Sequence, residues 1–357
     1  MGSGVSRLGQ PRPLNGPFAW RGSSINQRSG WNFTLDEIDL ACLDTALDNA
    51  VSAQMECSSL SKARFPLPGL SGKLDAIRTE LEEGSGIAWI RGISLSRYTN
   101  QELRLLWYGL CQYLGVPVCQ DSEGQLLREI RNEDQDVRVR YDQLTTGDGV
   151  FLSSRARTAS TDELRFHSDR TDVVGLFCLS KAKSGGETRI VSSVTVHNEM
   201  IRQRPDLAEA LYHPIYRSRL GEEKGGDKKC YPLPVFGCRN GKFTSHYSRT
   251  FIEGAQLLPD VSPMTNEQWE ALDLLVELAD QNCFETTFEP GDMQFLNNHV
   301  IYHARRSFID DEVKGVHRNL LRIWLCPPGN RALPRDHAVL WGSVAAGSLR
   351  GGIAQTY

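Results

Sequence analysis

The sequence predicts an α+β fold, a β-sandwich or jelly roll carrying a helical layer at its N-terminal side. Two observations carry this expectation. Residues 31–120 place apolar side chains at helical spacing behind recognisable helix starts. From Gln125 the texture changes to short alternating segments separated by Gly, Pro and Asn turns. Composition shifts gently between these regions, so one domain is expected. It comprises an irregular arm over 1–30, then a body over 31–357 with a helical third (31–120), a β core (125–326) and a tail (327–357).

In the arm, Pro11, Pro13 and Pro17 oppose regular hydrogen bonding, while Trp20 and Trp31 suit pinning it to the body. Thr34 with Glu37 three residues on has capping-box spacing, predicting a helix in which Leu35, Ile38, Leu43, Ala46, Leu47 and Ala50 share a face. A second helix is expected over about Lys73–Glu83, then a buried strand, Gly86–Arg91. Thr99–Leu114 repeats Leu103, Leu106, Leu110 and Leu114 at helical spacing, and Gly115-Val-Pro117 stops it.

The β texture predicts strands at Leu126–Arg131, Val137–Tyr141, Gly149–Leu152, Leu164–Asp169, Val173–Leu179 and Glu187–Ser192, with a turn at Lys183–Gly186. A helical insert follows over Asn198–Arg204, continued by Pro205–Leu211. Gly221–Lys229, charged and glycine-rich, reads as a mobile loop. Strand-like stretches at Tyr231–Cys238 and Lys242–Ile252 precede a helix, Asn266–Gln281, opened by Thr265. The chain returns to strands at Glu285–Phe288, Gly291–Leu296, Val300–Ala304 and Arg318–Cys326.

A formal net charge of -4 over 357 residues argues against a nucleic-acid partner, which favours a basic excess. No apolar run approaches the ~20 residues of a membrane span. The nine cysteines are scattered without any C-x-x-C, which suits a reducing compartment and points to the cytoplasm. Met1-Gly-Ser-Gly-Val-Ser6 matches a loose myristoylation pattern and equally a cloning scar. A homo-oligomer is left open.

The residues richest in chemistry are Phe166-His-Ser-Asp169. An imidazole and a carboxylate one residue apart project to the same side of an extended strand, and both are good ligands for a divalent transition metal. The best third ligand is His303, giving two histidines and one carboxylate, the diagnostic face for non-heme Fe(II) oxygenases. His-x-Asp alone occurs often by chance, and a histidine in an apolar strand is commonly a hydrogen-bonded core residue. His299 shares the parity of His303. His197, His213, His246, His317 and His337 lack partner motifs and read as structural or exposed.

The surroundings sharpen the choice. Phe166–Asp169, Lys183-Ser-Gly-Gly-Glu-Thr188, Pro290-Gly-Asp-Met-Gln-Phe-Leu-Asn-Asn-His-Val-Ile-Tyr-His303-Ala-Arg305 and Arg318-Asn-Leu-Leu-Arg-Ile-Trp-Leu325 together resemble the TauD/TfdA family of Fe(II)/2-oxoglutarate-dependent dioxygenases. The resemblance spans roughly Trp89–Trp324 and links four motifs in family order; the helical first third and the tail look like variable decoration. It implies a double-stranded β-helix core of the cupin-like jelly-roll type. It also implies iron held by His167, Asp169 and His303, with 2-oxoglutarate and dioxygen as cosubstrates and ascorbate as a supporting reductant. Thr188 and Arg318 would bind the distal carboxylate of 2-oxoglutarate, the guanidinium through its planar fork. Arg322, four residues on, would lie beside the cosubstrate or a substrate anion. Glu163 suits an amine, and equally a solvated surface position.

The implied reaction couples decarboxylation of 2-oxoglutarate, giving succinate and carbon dioxide, to oxidation of an unactivated C–H bond: hydroxylation, desaturation or cyclisation. Asp169 stands where related halogenases carry a small residue, which disfavours halogenation. The expected substrate is a small anionic or zwitterionic molecule such as an amino acid, amine or sulfonate. A metal-dependent hydrolase and a non-catalytic jelly-roll ligand-binding protein are the competing readings; the first gives no reason for Gly-Gly-Glu-Thr or Arg318, and the second predicts that turnover of 2-oxoglutarate to succinate stays at background.

Overall fold

Alternation along three strands builds two cores at once. In Ile87–Arg91, Ile87 and Trp89 join one apolar cluster and Ala88 and Ile90 another. Met293–Asn297 divides likewise into Leu296 against Met293 and Phe295. Asn319–Cys326 sends Leu320 and Trp324 to one side, Leu321, Ile323 and Leu325 to the other. Side chains of a strand point to opposite faces in turn, so this sheet is a wall between a sandwich interior and a helical layer.

The computed structural model describes residues 11–133, 145–146, 149–150, 153–219 and 228–353. The larger sheet runs in the order Asn32–Thr34, Ile87–Arg91, Met293–Asn297, Val173–Ser180, Asn319–Cys326, Val116–Pro117, with Leu127–Ile130 also on Asn319–Cys326. Its pairs are antiparallel except the first. The smaller antiparallel sheet is Phe284–Thr286, Thr188–Ser192, Ile301–Arg305, Leu164–His167. Ile190 and Ile301 from the smaller sheet share a cluster with Ile87 and Trp89 from the larger, which closes the jelly-roll sandwich.

Outside the wall, the helix Asn100–Cys111 buries Leu103, Leu106, Trp107 and Leu110. The Trp107 ring stacks on Phe295, centroids 5.1 Å apart. Thr99 caps this helix: its hydroxyl accepts from the N–H of Glu102, whose carboxylate accepts from the N–H of Thr99 at 2.7 Å, leaving two fewer orphan donors. The helix Asn266–Asn282 carries the same device, Thr265 with Gln268.

The helix Glu37–Ser52 is capped by Asp36, not Thr34. Thr34 is already committed to a strand opposite Arg91, and Asp36 closes the box with Asp39 instead. Ile38, expected on the buried face, is 76% exposed because the helix begins after Leu35 and its apolar stripe starts at Leu43. Lys242–Ile252 is not one strand: the strand ends at Ser245, and Arg249–Gln256 is helical. Thr250, Phe251 and Ile252 favour strands intrinsically. Burial of Ile252 and Ala255, with an Arg249–Glu253 ion pair one turn apart (2.9 Å), overrides that preference. The insert helix begins at Ser193, earlier than Asn198, capped by Ser192.

The N-terminal arm lies against the body as its tryptophans suggest. Trp20 and Trp31 are buried, and the Trp20 indole N–H donates to the carbonyl of Ser85 at 2.9 Å. The backbone of Leu14 exchanges two hydrogen bonds with the Asn198 amide, each 2.7 Å. The expected strand Val137–Tyr141, residues 151–152, the Met1–Ser6 pattern and residues 221–227 of the expected loop lie outside the described residues. All nine cysteines are free thiols. Among the described residues no helix is long and apolar enough to cross a membrane.

Candidate active site

His167 and His303 are direct cross-strand partners at the end of the smaller sheet, their ring centroids 4.2 Å apart. The pairing slips between His303 and Arg305, a bulge of the kind that re-aims side chains. The strand holding His167 ends there, so Asp169 lies beyond it, not within it as its spacing suggests. Its position is fixed by neighbours: its N–H donates to Asn298 Oδ1 at 3.0 Å, and the N–H of Ser168 to the carbonyl of Tyr247 at 2.8 Å.

The three side chains converge: His167 Nε2 is 3.7 Å from Asp169 Oδ1, and His303 Nε2 is 3.8 Å from Asp169 Oδ2. One ligand atom from each lies within 4.8 Å of the others, and all three residues are buried. These separations are too long for hydrogen bonds and suit donors arranged around a cation. His167 Nδ1 lies 2.9 Å from the carbonyl of Arg165, which makes it the protonated nitrogen and leaves Nε2 with its lone pair. Burial pushes the His303 pKa down to about 3, with His167 beside it acting in the same direction. Burial lowers that of His167 too. Both are therefore neutral imidazoles near pH 7, the form that ligates metal. For Asp169, burial opposes the charge, but the Arg322 guanidinium and the two histidines hold its pKa below the ordinary carboxylate range. The donor set of two neutral imidazoles and one carboxylate fits Fe(II).

Two cavities meet at this triad. One is lined by Thr188, His303, Arg305 and Arg318 together with Leu176 and Phe288. The other is lined by Asp169, Arg170, His246, Trp324, Leu340 and Ile353 among others. His167, Thr158 and Arg322 border both.

In the first cavity, Arg318 is 5% exposed and its Nη1 has no partner. Burial drives its pKa down to about 10, with only partial compensation from Cys178 and Asp310. A buried guanidinium lacking a carboxylate is costly, so the cavity is built for an anion. The glycine pair explains how the site packs: Gly185 and Gly186 have φ of +73° and +76°, and a Cβ on Gly186 would come within 3.2 Å of Arg318 Nε. Thr188 follows on the neighbouring strand, opposite Arg305. Arg305 itself spans towards the segment 157–162: its Nη2 donates to the carbonyls of Arg157 (3.1 Å), Ser160 (2.9 Å) and Asp162.

In the second cavity, Arg322 donates from Nε to Gln120 Oε1 at 2.7 Å and holds Nη1 3.7 Å from Asp169 Oδ1. Its register partner is Arg128, which lines the same space. The Trp324 indole N–H donates to Asp169 Oδ2 at 3.0 Å.

His167, Asp169, His303, Thr188, Arg318 and Arg322 are thus brought together. Glu163 is not: 48% exposed, it sits near Arg189 and Arg306, each 3.7 Å away, in a separate surface cleft. His299, the competing histidine, is bound up elsewhere: Nε2 lies 2.7 Å from Asp172 and Nδ1 2.7 Å from the Thr244 hydroxyl. Sequence reasoning missed Asn298, Gln120, Arg128 and His246. For Arg128 a signal existed in its alternation with Ile130, and Asn298 sits inside the Pro290–Arg305 motif; Gln120 and His246 reach the site from loops and carry none.

Residues 49–324 match the Taurine catabolism dioxygenase TauD, TfdA family. The chain belongs to this family. It is an Fe(II)/2-oxoglutarate-dependent dioxygenase by membership, with iron and 2-oxoglutarate as the cofactor and cosubstrate. Among individual relatives of this TauD/TfdA chain, FR-33289 synthase of Streptomyces rubellomurinus is 29% identical over 344 residues, covering 94% of this chain and 97% of the relative. The taurine hydroxylase-like protein SAT17 of Stachybotrys chartarum is 29% identical over 329 residues, covering 88% and 82%. In fold, the chain is similar to an asparagine oxygenase solved with Fe(II), 2S,3S-3-hydroxyasparagine and succinate (TM-score 0.62, 16% identity, 83% of this chain and 93% of that one). It is also similar to the non-heme iron oxygenase OrfP solved with Fe and alpha-ketoglutaric acid (TM-score 0.57, 17% identity, 82% and 93%).

Proposed function

We propose that this dioxygenase oxidises an unactivated C–H bond of a small anionic or zwitterionic molecule, with His167, Asp169 and His303 as its iron ligands. The observation that carries the reading is the buried Arg318, whose Nη1 has no hydrogen-bond partner, in a cavity walled by His303. Iron held by these three residues would supply dioxygen activation, with 2-oxoglutarate as the reductant consumed to succinate and carbon dioxide.

The chain's own residues do the rest. Arg318, with the Thr188 hydroxyl, pairs the distal carboxylate of 2-oxoglutarate and so points its keto-acid end towards the triad. Trp324 and Arg322 hold Asp169 in place by the indole N–H and by charge, while Asn298 fixes its backbone. Arg322 and Arg128, opposed across two strands on one cavity wall, give the primary substrate's anion a place to dock. Arg305 ties the 157–162 segment, whose Thr158 borders both cavities, to the strand that carries His303.

The 2S,3S-3-hydroxyasparagine bound to the asparagine oxygenase, and the (3S)-hydroxy-L-Arg bound to OrfP in a further structure of that protein, support an amino-acid-like substrate class. The test is anaerobic: titrating 2-oxoglutarate into the Fe(II)-loaded protein is expected to give a weak charge-transfer absorption that His167→Ala abolishes. Succinate release above background from a panel of amino acids, amines and sulfonates, with products identified by mass spectrometry, then sets the substrate. Iron binding without any 2-oxoglutarate response would overturn the assignment of Arg318 and Thr188 to the cosubstrate.

A further inference from the structure

The family match ends at residue 324, yet the cavity that borders the triad on the Asp169 side is completed from beyond it. Leu340 and Ile353 line that cavity, and they are 2% and 1% exposed. The segment carrying them is locked in place by a built contact. Arg350, fully buried, reaches both carboxylate oxygens of Asp172, with Nε at 3.0 and 3.2 Å and Nη2 on Oδ1. Asp172 also receives His299 and, at 3.2 Å, the Asn330 amide. It lies three residues after Asp169, so one short loop holds a metal ligand at one end and the C-terminal segment at the other.

The backbone repeats the attachment. Gly352 donates to the carbonyl of Arg170 at 2.8 Å, Ile353 to that of Cys119 at 2.9 Å, and Arg170 Nη2 donates to the carbonyl of Leu340 at 3.0 Å. Gly352 has φ of +76°, and a Cβ there would sit 2.8 Å from the carbonyl oxygen of Cys119, so this close approach admits little else. These contacts exceed what an idle surface tail needs. They place two aliphatic side chains, with Phe251 and Trp324, in the same space as Arg128, Arg170 and Arg322.

We propose that the C-terminal segment Arg335–Ile353 is the substrate-specificity element of this enzyme, its Leu340 and Ile353 forming the aliphatic wall of the primary-substrate cavity beside the Arg128–Arg322 pair. The substrate it selects is a small acid with an anionic head and an aliphatic body whose length that wall sets. The inference rests on the oxygenase reading above. Apolar walls discriminate by size: a methylene is worth roughly 10–200-fold in selectivity in a tight pocket.

The experiment measures succinate release from the Fe(II)-loaded enzyme across straight-chain carboxylates, sulfonates and 2-amino acids of two to eight carbons, for wild type, Leu340→Ala, Ile353→Ala and the milder Ile353→Val. Wild type is expected to show a sharp chain-length optimum. Ile353→Ala should move it longer by at least one carbon, with KM for the wild-type optimum raised about ten-fold; Ile353→Val should move it less, in the same direction. An unchanged chain-length profile in all the soluble variants would overturn the proposal, and so would a wild-type enzyme silent across the whole series. Succinate formed by wild type without any added acid, the uncoupled reaction, separates the two layers. If it is present while the series is silent, the specificity assignment fails alone; if it is absent too and 2-oxoglutarate gives no anaerobic charge-transfer band, the site assignment under the proposed function fails with it.

Discussion

Two buried histidine–carboxylate groups lie close together in this molecule, and they are built in opposite ways. Around Asp172 every strong group is answered: His299 at 2.7 Å, Arg350 on both oxygens, Asn330 at 3.2 Å, with Thr244 on the far nitrogen of His299. Around Asp169 the histidines stand off at 3.7 and 3.8 Å, and Nδ1 of His303 has no partner. Burial makes unanswered polar groups costly. The closed group is therefore a structural pin, and the open one is held apart for something that arrives later. Acid residues and histidines in a core do not mark function; their geometry relative to hydrogen-bond distance does.

Substitutions separate the two groups by what each loses. The largest effect belongs to the open one: His167→Ala, Asp169→Ala or His303→Ala should abolish iron-dependent succinate formation, exceeding the ~10–100-fold typical of an outer partner, while thermal unfolding of the iron-free protein changes little. Next is Arg318→Ala, which should raise the 2-oxoglutarate concentration needed by about 30-fold or more, as loss of one partner in a buried charge pair costs ~2–5 kcal/mol. Iron binding, read by anaerobic titration, should survive it. Wild-type behaviour of Arg318→Ala would sink the cosubstrate assignment.

At the closed group the readout inverts. Asp172→Asn should cost about 3–5 kcal/mol of stability in denaturant unfolding, because Arg350 would be left buried without its carboxylate. Bound iron should fall far less than in Asp169→Ala; equal loss of iron in both would erase the distinction between the closed and the open group.

The smallest effect is a pH slope. Burial holds the pKa of His197 at about 4 and that of His337 at about 3, against an ordinary value near 6.5. Depressed in the folded state, these groups take up protons more readily when unfolded. The stability they carry is full above about pH 6.5 and is lost as pH falls towards 3–4, by about 2 kcal/mol per histidine at pH 5. His197→Phe should flatten the slope of stability between pH 6.5 and 5, measured by urea unfolding; an unchanged slope would assign it to other groups.

Much of this was legible in the primary structure because it depends on neighbours in sequence. Thr99 and Thr265 announce their helices through Glu102 and Gln268 three residues on. Alternation assigns Leu320, Arg322 and Trp324 to one face of their strand. The glycines before Glu187 mark a turn that only positive φ permits. The failures are equally local in origin. Thr34 looked like a cap because nothing nearby shows that Arg91 pairs with it. Thr250-Phe-Ile252 favours a strand until burial and the Arg249–Glu253 pair make it a helix.

The amino-acid order by itself determined the ligand types, their likeness to the TauD/TfdA pattern and the alternation that turns arginines inward. Those properties are written in residue identity and in periods of two and 3.6. Only the tertiary structure decided that His303 opposes His167 while His299 turns to Asp172, that Glu163 faces solvent, and that Leu340 and Ile353 reach the cavity. Register and long-range closure are set by how two sheets and their loops pack together, and no run of adjacent residues encodes that.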